Sequence, residues 1–190
     1  QATGAWAHDT WYSILDHLPD RQPVRRAELT IGYRIPAPIM DVAARVLTEA
    51  APDLSPPNSV RSTGDPPRFV SVGESLDCLA EIVAEELRVV GAGNLAVIVA
   101  GSQVAEVEAV LEAAGIVFGR PTRRGLDEQV AVVPVGLVKG LEVDAAVVVE
   151  PARIIREQDQ GVRALYVALT RATKRVAVVH AEPLPDLLNP

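Results

Sequence analysis

Short runs of aliphatic residues recur through the sequence and constrain its fold more than any other feature. Four of them consist almost entirely of Val, Ala, Ile and Leu: LAVIVAG at 95–101, VAVVPV at 130–135, DAAVVVE at 144–150 and RVAVVHA at 175–181. Such unbroken apolar runs are typical of strands that are buried on both faces, as they are in parallel sheets. We therefore expect an α/β fold, with a mostly parallel sheet covered by helices on both faces and joined by right-handed crossovers.

Segments with helical spacing of apolar residues alternate with these strands. Helices are predicted at 35–50, 74–90, 102–115 and 161–172. In the first of them, Pro36 or Pro38 can occupy the opening turn. Its apolar face would consist of Ile39, Val42, Ala43, Val46 and Leu47. The second carries Glu74 in its first turn, and the third opens at Ser102 and closes at Gly115.

Other segments complete the predicted order of elements. Strands are expected at 27–33 and 68–72, whereas 51–67 is rich in Pro, Ser, Gly and Asp and is predicted to be a long loop. Residues 1–27 fit the repeating pattern less well, and we expect a connecting arm there with a helix near 9–17. In parallel sheets ligands gather at the carboxyl ends of strands, so the loops that follow the strands are expected to carry the function.

Composition and charge exclude several classes of protein. No run approaches the roughly 20 apolar residues that cross a bilayer, and the start lacks a signal peptide, so a cytoplasmic location is expected. The single Cys78 cannot form an internal disulfide, and the three histidines are too scattered for a metal site. A net charge of −7 argues against a free-standing nucleic-acid binder. Because the sequence begins with Gln1 rather than Met, we expect a fragment of a longer protein.

Three short stretches carry polar or charged residues next to the predicted strands and helices: GYR at 32–34, VKGLEVD at 138–144 and YVALTRA at 166–172. Their order and spacing resemble motifs IV, V and VI of the second RecA-like motor domain (2A) of superfamily 1 helicases of the UvrD/Rep type. The opening QATGAW resembles the end of motif III. The resemblance assigns 1–27 to an arm with the end of motif III and 28–190 to a 2A domain. The sequence contains no GxxxxGK[ST] loop of its own.

The resemblance implies that this chain supplies half of an ATP site. Arg171 would be an arginine finger that reaches the γ-phosphate, since a planar and permanently charged fork suits a transferring phosphoryl group. Tyr33 would stack on adenine, Arg34 would approach the γ-phosphate, and Glu142 would accept a ribose hydroxyl. ATP is the implied cofactor, with Mg²⁺ held by the missing first motor domain.

Further contacts follow from the same resemblance. Gln1 would touch the γ-phosphate, Gly140 would allow close approach of the backbone, Lys139 would approach a phosphate, and Trp6 would stack on a base of single-stranded DNA. Four of the residues also have a plainer explanation. Arg171 could be a cation at a helix carboxyl end, Tyr33 a half-buried aromatic residue, Lys139 a solvated side chain, and Trp6 an anchor of the arm.

One departure bears on the subgroup. Helicases that move along DNA usually carry a polar residue three positions before the motif V Lys, where this chain has Gly136. The form of motif V, the QATGAW arm and the ending VVHAEPLP look most similar to the HelD/HelR group, which binds RNA polymerase and recycles it. The implied partners are the first RecA-like domain, RNA polymerase and, as a candidate, single-stranded DNA. A 3′ to 5′ DNA helicase of the UvrD type is the alternative, and a binding module with vestigial motifs is a third.

Two groups of cations remain outside these motifs. We expect Lys174 and Arg175 to lie on a solvated turn. The cluster of Arg120, Arg123 and Arg124 is expected in a solvated loop, with contact to nucleic acid or polymerase as the alternative.

Overall fold

A computed structural model describes residues 14–17, 19, 29–73, 75–121 and 128–189. The strands are β1 (Ile31–Gly32), β2 (Asn58–Ser59), β3 (Arg68–Ser71), β4 (Leu95–Val99), β5 (Val130–Pro134), β6 (Val143–Val149) and β7 (Ala172–His180). The helices are α1 (Ala37–Ala50), α2 (Leu79–Val90), α3 (Val104–Ala113), α4 (Pro151–Glu157) and α5 (Gly161–Leu169). Short 3₁₀ helices span 101–103, 135–137 and 186–188.

Five strands form one parallel sheet in the order β3-β7-β6-β4-β5, and β1 and β2 form a separate parallel pair. The register at the centre pairs Val147 of β6 with Val97 of β4 and with Ala177 of β7. These are the aliphatic runs of the sequence, and every residue of β4 is buried. The predicted parallel sheet is therefore present.

Helices cover both faces of this sheet because alternate residues of each strand point to opposite sides. Ile98, Val148 and Val178 face a core that includes α1, α4 and α5. Val97, Val147 and Val179, one residue away in each strand, face a second core formed with α2 and α3. The predicted apolar face of α1 is buried along its whole length.

The boundaries of several elements differ from the predictions. Helix α2 begins at Leu79 and not at residue 74, and Glu74 itself lies outside the described residues. Ser102 does not cap α3, since its hydroxyl bonds Glu157 and the helix proper starts two residues later. Gly115 ends that helix with φ near 71°, as predicted. Helix α4 was not predicted, because it starts at Pro151 with only Glu150 between it and the end of β6, so no loop separates the two elements.

The prediction of a solvated turn at Lys174 and Arg175 is wrong, since both lie within β7. Lys174 points outward and pairs with Asp144 at 2.7 Å. Arg175 points to the other face, where its Nε donates to Oε2 of Glu86 at 2.7 Å. That carboxylate is only 1% exposed, so a charge that looked solvated in the sequence joins β7 to α2.

Candidate functional site

A cleft of about 660 Å³ opens where the pair β1-β2 meets the main sheet. It is bordered by the residues after β1, the segment leading into β6, and the end of α5. Its polar lining comes from Tyr33, Arg34, Arg61, Glu142, Tyr166, Thr170 and Thr173. Three of the predicted site residues, Tyr33, Arg34 and Glu142, thus share one cavity although they are far apart in the sequence.

Arg34 is the second residue after β1 and extends across the cleft. Its Nη1 donates to Oε2 of Glu142 at 3.2 Å, and its Nη2 lies 3.5 Å from the carbonyl oxygen of Thr170. Both distances exceed the 2.7–2.9 Å of a good charge-assisted hydrogen bond. Because 39% of the Arg34 side chain and 57% of the Glu142 side chain are exposed, the pair contributes little to stability and can exchange for another ligand.

Arg171 lies two residues after α5 ends and is only 3% exposed. Its Nε donates to the carbonyl of Val167 at 3.0 Å, which satisfies an orphan acceptor in the last turn of α5. The far nitrogens are held more loosely, at 3.3 Å from the carbonyl of Leu141 and 3.4 Å from Oγ1 of Thr170. Burial, and next to it the charge of Arg34, lower the pKa of Arg171. The plainer explanation, a cation at a helix carboxyl end, therefore describes its contacts in this conformation.

The guanidinium groups of Arg34 and Arg171 converge on Thr170. Arg34 approaches its carbonyl and Arg171 its hydroxyl, so both charges stand on the same side of the sheet. The hydroxyl is fixed in turn, because it donates toward the carbonyls of Tyr166 and Val167 at 2.9 and 3.1 Å. Burial raises the pKa of the Tyr166 phenol, and the charges of Arg171 and Arg34 oppose that rise. This corner of the cleft is thus positively charged and suited to an anion.

Tyr33 presents its ring to solvent at the rim of the cleft, where it is 80% exposed. A half-buried packing aromatic would be covered by neighbours, which this ring is not. An exposed aromatic face next to a cationic corner is chemically suited to stack on a planar base.

Lys139 and Gly140 lie in the turn before β6, and both are exposed. Gly140 has φ near 89°, a conformation that favours glycine, and a Cβ there would meet nothing within 4 Å. In this structure the glycine serves the shape of the turn that leads to Glu142. The predicted phosphate contact of Lys139 stays a prediction.

The expected position of the site relative to the sheet is wrong. Glu142 and Arg171 precede β6 and β7, and the first residues of those strands pair as Val143 with Ala172. Both side chains therefore lie at the amino edge of the main sheet, on segments that enter strands. Only Tyr33 and Arg34 follow a strand, and that strand belongs to the separate pair. In open α/β sheets, ligands usually bind to loops that follow the carboxyl ends of the strands. In this cleft, Glu142 and Arg171 instead come from segments that lead into strands.

Thr170, Tyr166 and Arg61 were not singled out from the sequence. Tyr166 and Thr170 stand four residues apart near the end of α5, a spacing that places them on one helix face and could have indicated them. Arg61 offered no signal, since it lies in the Pro-rich stretch 51–67. That stretch is less featureless than predicted, because it contains β2 and pairs with β1.

The other residues for which contacts were predicted are Gln1, Trp6 and the arginines of the 120–124 cluster. Gln1, Trp6, Arg123 and Arg124 lie outside the described residues. Arg120 is paired through Nε and Nη2 with both carboxylate oxygens of Glu108 at 2.7 Å.

Gly136 lies in the 3₁₀ helix after β5 and is exposed. A Cβ added there would come no closer than 3.8 Å to Oε1 of Gln158. No close contact at the Cβ position therefore requires glycine here.

Part of the chain has a recognisable family pattern. Residues 129–179 match the family of UvrD-like helicase C-terminal domains. This UvrD-like segment runs from β5 through β7 and contains Glu142, Tyr166, Thr170 and Arg171.

The fold extends the similarity beyond the UvrD-like segment. The C-terminal domain of a possible DNA helicase from Lactobacillus plantarum WCFS1 is 27% identical with a TM-score of 0.61, over 83% of this chain and 92% of that one. The predicted fold class is therefore confirmed: an α/β, RecA-like arrangement that matches a helicase C-terminal domain. The DNA-bound helicase nonstructural protein 10 of an arterivirus also aligns, at 13% identity and a TM-score of 0.43, over 75% of this chain and 30% of that one. No curated protein matches the sequence.

Two kinds of feature are absent from the described residues. No helix among them is long and apolar enough to cross a membrane. No three His, Cys, Asp or Glu side chains in those ranges cluster as a metal site would require.

Proposed function

We propose that this chain is the C-terminal motor domain of a superfamily 1 helicase-like ATPase and completes an ATP site whose phosphate-binding loop is on a preceding domain. The observation that carries the proposal is the convergence of Arg34 and Arg171 on Thr170, beside an exposed Tyr33. Tyr33 and Arg34 line the cleft, and the buried Arg171 contacts Thr170, which also lines it; this arrangement offers complementary chemistry to a nucleoside triphosphate.

Each residue has a task that its position allows. Tyr33 offers its ring for stacking on the base, and Glu142 offers a carboxylate that can accept a ribose hydroxyl. Arg34 and Arg171 place positive charge where negative charge accumulates on a phosphoryl group in transfer. Mg²⁺ would bind to the preceding domain, where it would neutralise the phosphates. Lys139, in the exposed turn, is a second-rank candidate for a phosphate contact.

In the conformation described here the two arginines are bound to this chain itself. Arg34 is paired with Glu142, and Arg171 is held by neutral oxygen atoms at 3.0, 3.3 and 3.4 Å, the last two through its terminal nitrogens. A phosphoryl anion would add charge–charge attraction that a neutral carbonyl or hydroxyl oxygen does not supply. Docking of a phosphate-bearing domain would therefore favour release of the Arg171 fork from Leu141 and Thr170 toward the cleft.

Hydrolysis by the protein that joins this chain to a first motor domain tests the proposal. We expect Arg171→Ala to lower kcat by about 10³-fold or more, while affinity for ATP changes little, because an arginine finger acts chiefly in the transition state. Arg45→Ala, an exposed arginine on α1 outside the cleft, serves as the matched control and should hydrolyse ATP normally. Normal turnover by Arg171→Ala would refute the assignment. In the same protein, Glu142→Ala should reduce the preference for ATP over 2′-deoxy-ATP.

For the biological task, we propose recycling of RNA polymerase. The support is the form of motif V, PVGLVKGLEVD, and the replacement of a polar DNA contact by Gly136. A DNA helicase is the second candidate, favoured by the similarity to the domain of a possible DNA helicase. Co-precipitation with RNA polymerase, combined with ATP-dependent release of the polymerase from nucleic acid, would support the first. Efficient unwinding of a tailed duplex without polymerase binding would support the second.

A further inference from the structure

We propose that Arg61 is a positioning residue, which fixes the backbone of Arg34 against the start of β7 and so sets the separation of Arg34 from Arg171. The inference rests on the proposed function, because it assigns Arg61 a task in the same ATP site.

The contacts of Arg61 are the shortest that any arginine makes with the backbone of the cleft residues described here. Its Nη1 donates to the carbonyl of Arg34 at 2.6 Å and to the carbonyl of Thr173 at 2.7 Å. Thr173 stands two residues after Arg171. One nitrogen atom therefore ties together the two chain segments that carry the proposed phosphate contacts.

The backbone around Arg61 makes this tie rigid. Asn58 and Val60 donate their amides to the carbonyls of Thr30 and Gly32 at 2.8 and 2.9 Å, which extends the β1-β2 pairing on both sides. The carbonyl of Arg61 accepts the amide of Ala37 at the start of α1 at 2.8 Å.

The hydroxyl of Ser59 continues the same bracing. It donates to the carbonyl of Ile35 at 2.5 Å and accepts the amide of Arg61 at 3.1 Å. The segment 58–61 thus runs alongside the peptide units that flank Arg34 and holds them in place.

The side chain of Arg34 is held much less tightly than its backbone. Its own contacts, to Glu142 and to Thr170, measure 3.2 and 3.5 Å. The orientation of its guanidinium therefore depends on where its backbone is fixed, which is the contribution of Arg61. Displacement of a catalytic group by about 1 Å can cost about 100-fold in rate.

A double-mutant cycle in the two-domain protein tests this role. We expect Arg61→Met to lower kcat by roughly 10- to 100-fold with the KM for ATP within about threefold, and to have less than about a twofold effect once Arg34→Ala is present. An effect of equal size in both backgrounds, or unchanged kcat in Arg61→Met, would overturn the proposal.

Arg163→Met is the matched control. Arg163 is also half-buried and donates to a backbone carbonyl, that of Ala50 at 3.2 Å, but it joins α5 to α1 outside the cleft. It should leave kcat unchanged. A kcat loss in Arg163→Met as large as that in Arg61→Met would show that general loosening of the fold explains both, and would also overturn the proposal.

A second measurement separates failure of this inference from failure of the proposed function. If Arg34→Ala and Arg171→Ala hydrolyse ATP normally, the proposed ATP site is wrong, whatever Arg61 does. In the 190-residue chain, NMR relaxation of the Arg34 Nε–H group reports its order without any nucleotide. We expect that order to fall in Arg61→Met and not in Arg163→Met. Unchanged Arg34 order in Arg61→Met would overturn the positioning role on structural grounds alone.

Discussion

Gly161, the first residue of α5, has no room for a side chain. A Cβ built there would lie 1.9 Å from the carbonyl oxygen of Ile155 and 2.5 Å from its Cα. Real Cβ atoms essentially never come closer than 3.0 Å to such an atom, so backbone would have to move by about 1 Å. Overpacking of this kind typically costs about 1–3 kcal/mol, and the better helix propensity of Ala returns at most about 1 kcal/mol.

We therefore expect Gly161→Ala to destabilise the chain by about 1–2 kcal/mol, which corresponds to a fall of roughly 2–8 °C in Tm for a chain of this size. Urea titration followed by far-ultraviolet circular dichroism measures the free energy of unfolding. Gly101→Ala is the matched control: Gly101 also opens a helical turn, and its added Cβ would meet nothing within 4 Å. Equal stability of Gly161→Ala and the unsubstituted chain would refute the close contact between α4 and α5.

Two further substitutions test the electrostatics of the interior. Burial raises the pKa of Tyr166 above 10.0, so at higher pH the folded chain keeps a proton that the unfolded chain loses. The free energy of unfolding should therefore fall as the pH rises above 10.0. Tyr166→Phe should remove both this fall in stability and the late phase of tyrosinate absorbance. A late phase that persists in Tyr166→Phe would contradict the assignment. Glu86→Gln should cost about 3 kcal/mol in urea titration, because it leaves the Arg175 guanidinium without its buried counter-charge. A cost below about 1 kcal/mol would show that Asp65 and solvent compensate.

The layers of the fold could be predicted from the sequence because they depend on local composition. Unbroken aliphatic strands require cover on both faces, and the spacing of Ile39 through Leu47 determined which side of α1 is buried. Helix α4 was missed because its seven residues follow a strand almost directly; no side chain caps its start, and Pro151 in its first turn is the one local signal.

The details of the site depend on contacts between distant residues, which local patterns do not contain. Arg175 looks solvated until Glu86, 89 residues earlier, is placed beside it. Arg61 looks like part of a loop until its guanidinium is found on the carbonyls of Arg34 and Thr173. The prediction that the site lies at the carboxyl edge of the sheet is wrong for a related reason. The tendency of ligands to bind at that edge concerns residues that follow strands, whereas Glu142 and Arg171 precede theirs.

The most direct test of the proposed ATP site is a structure of the two-domain protein with ADP and aluminium fluoride, a mimic of the phosphoryl group in transfer. The account predicts that the Arg171 guanidinium has left Leu141 and Thr170, and that it and Arg34 both lie within about 3 Å of the fluoride ligands. A structure in which Arg171 still donates to the carbonyls of Val167 and Leu141, while the mimic is bound elsewhere, would contradict it.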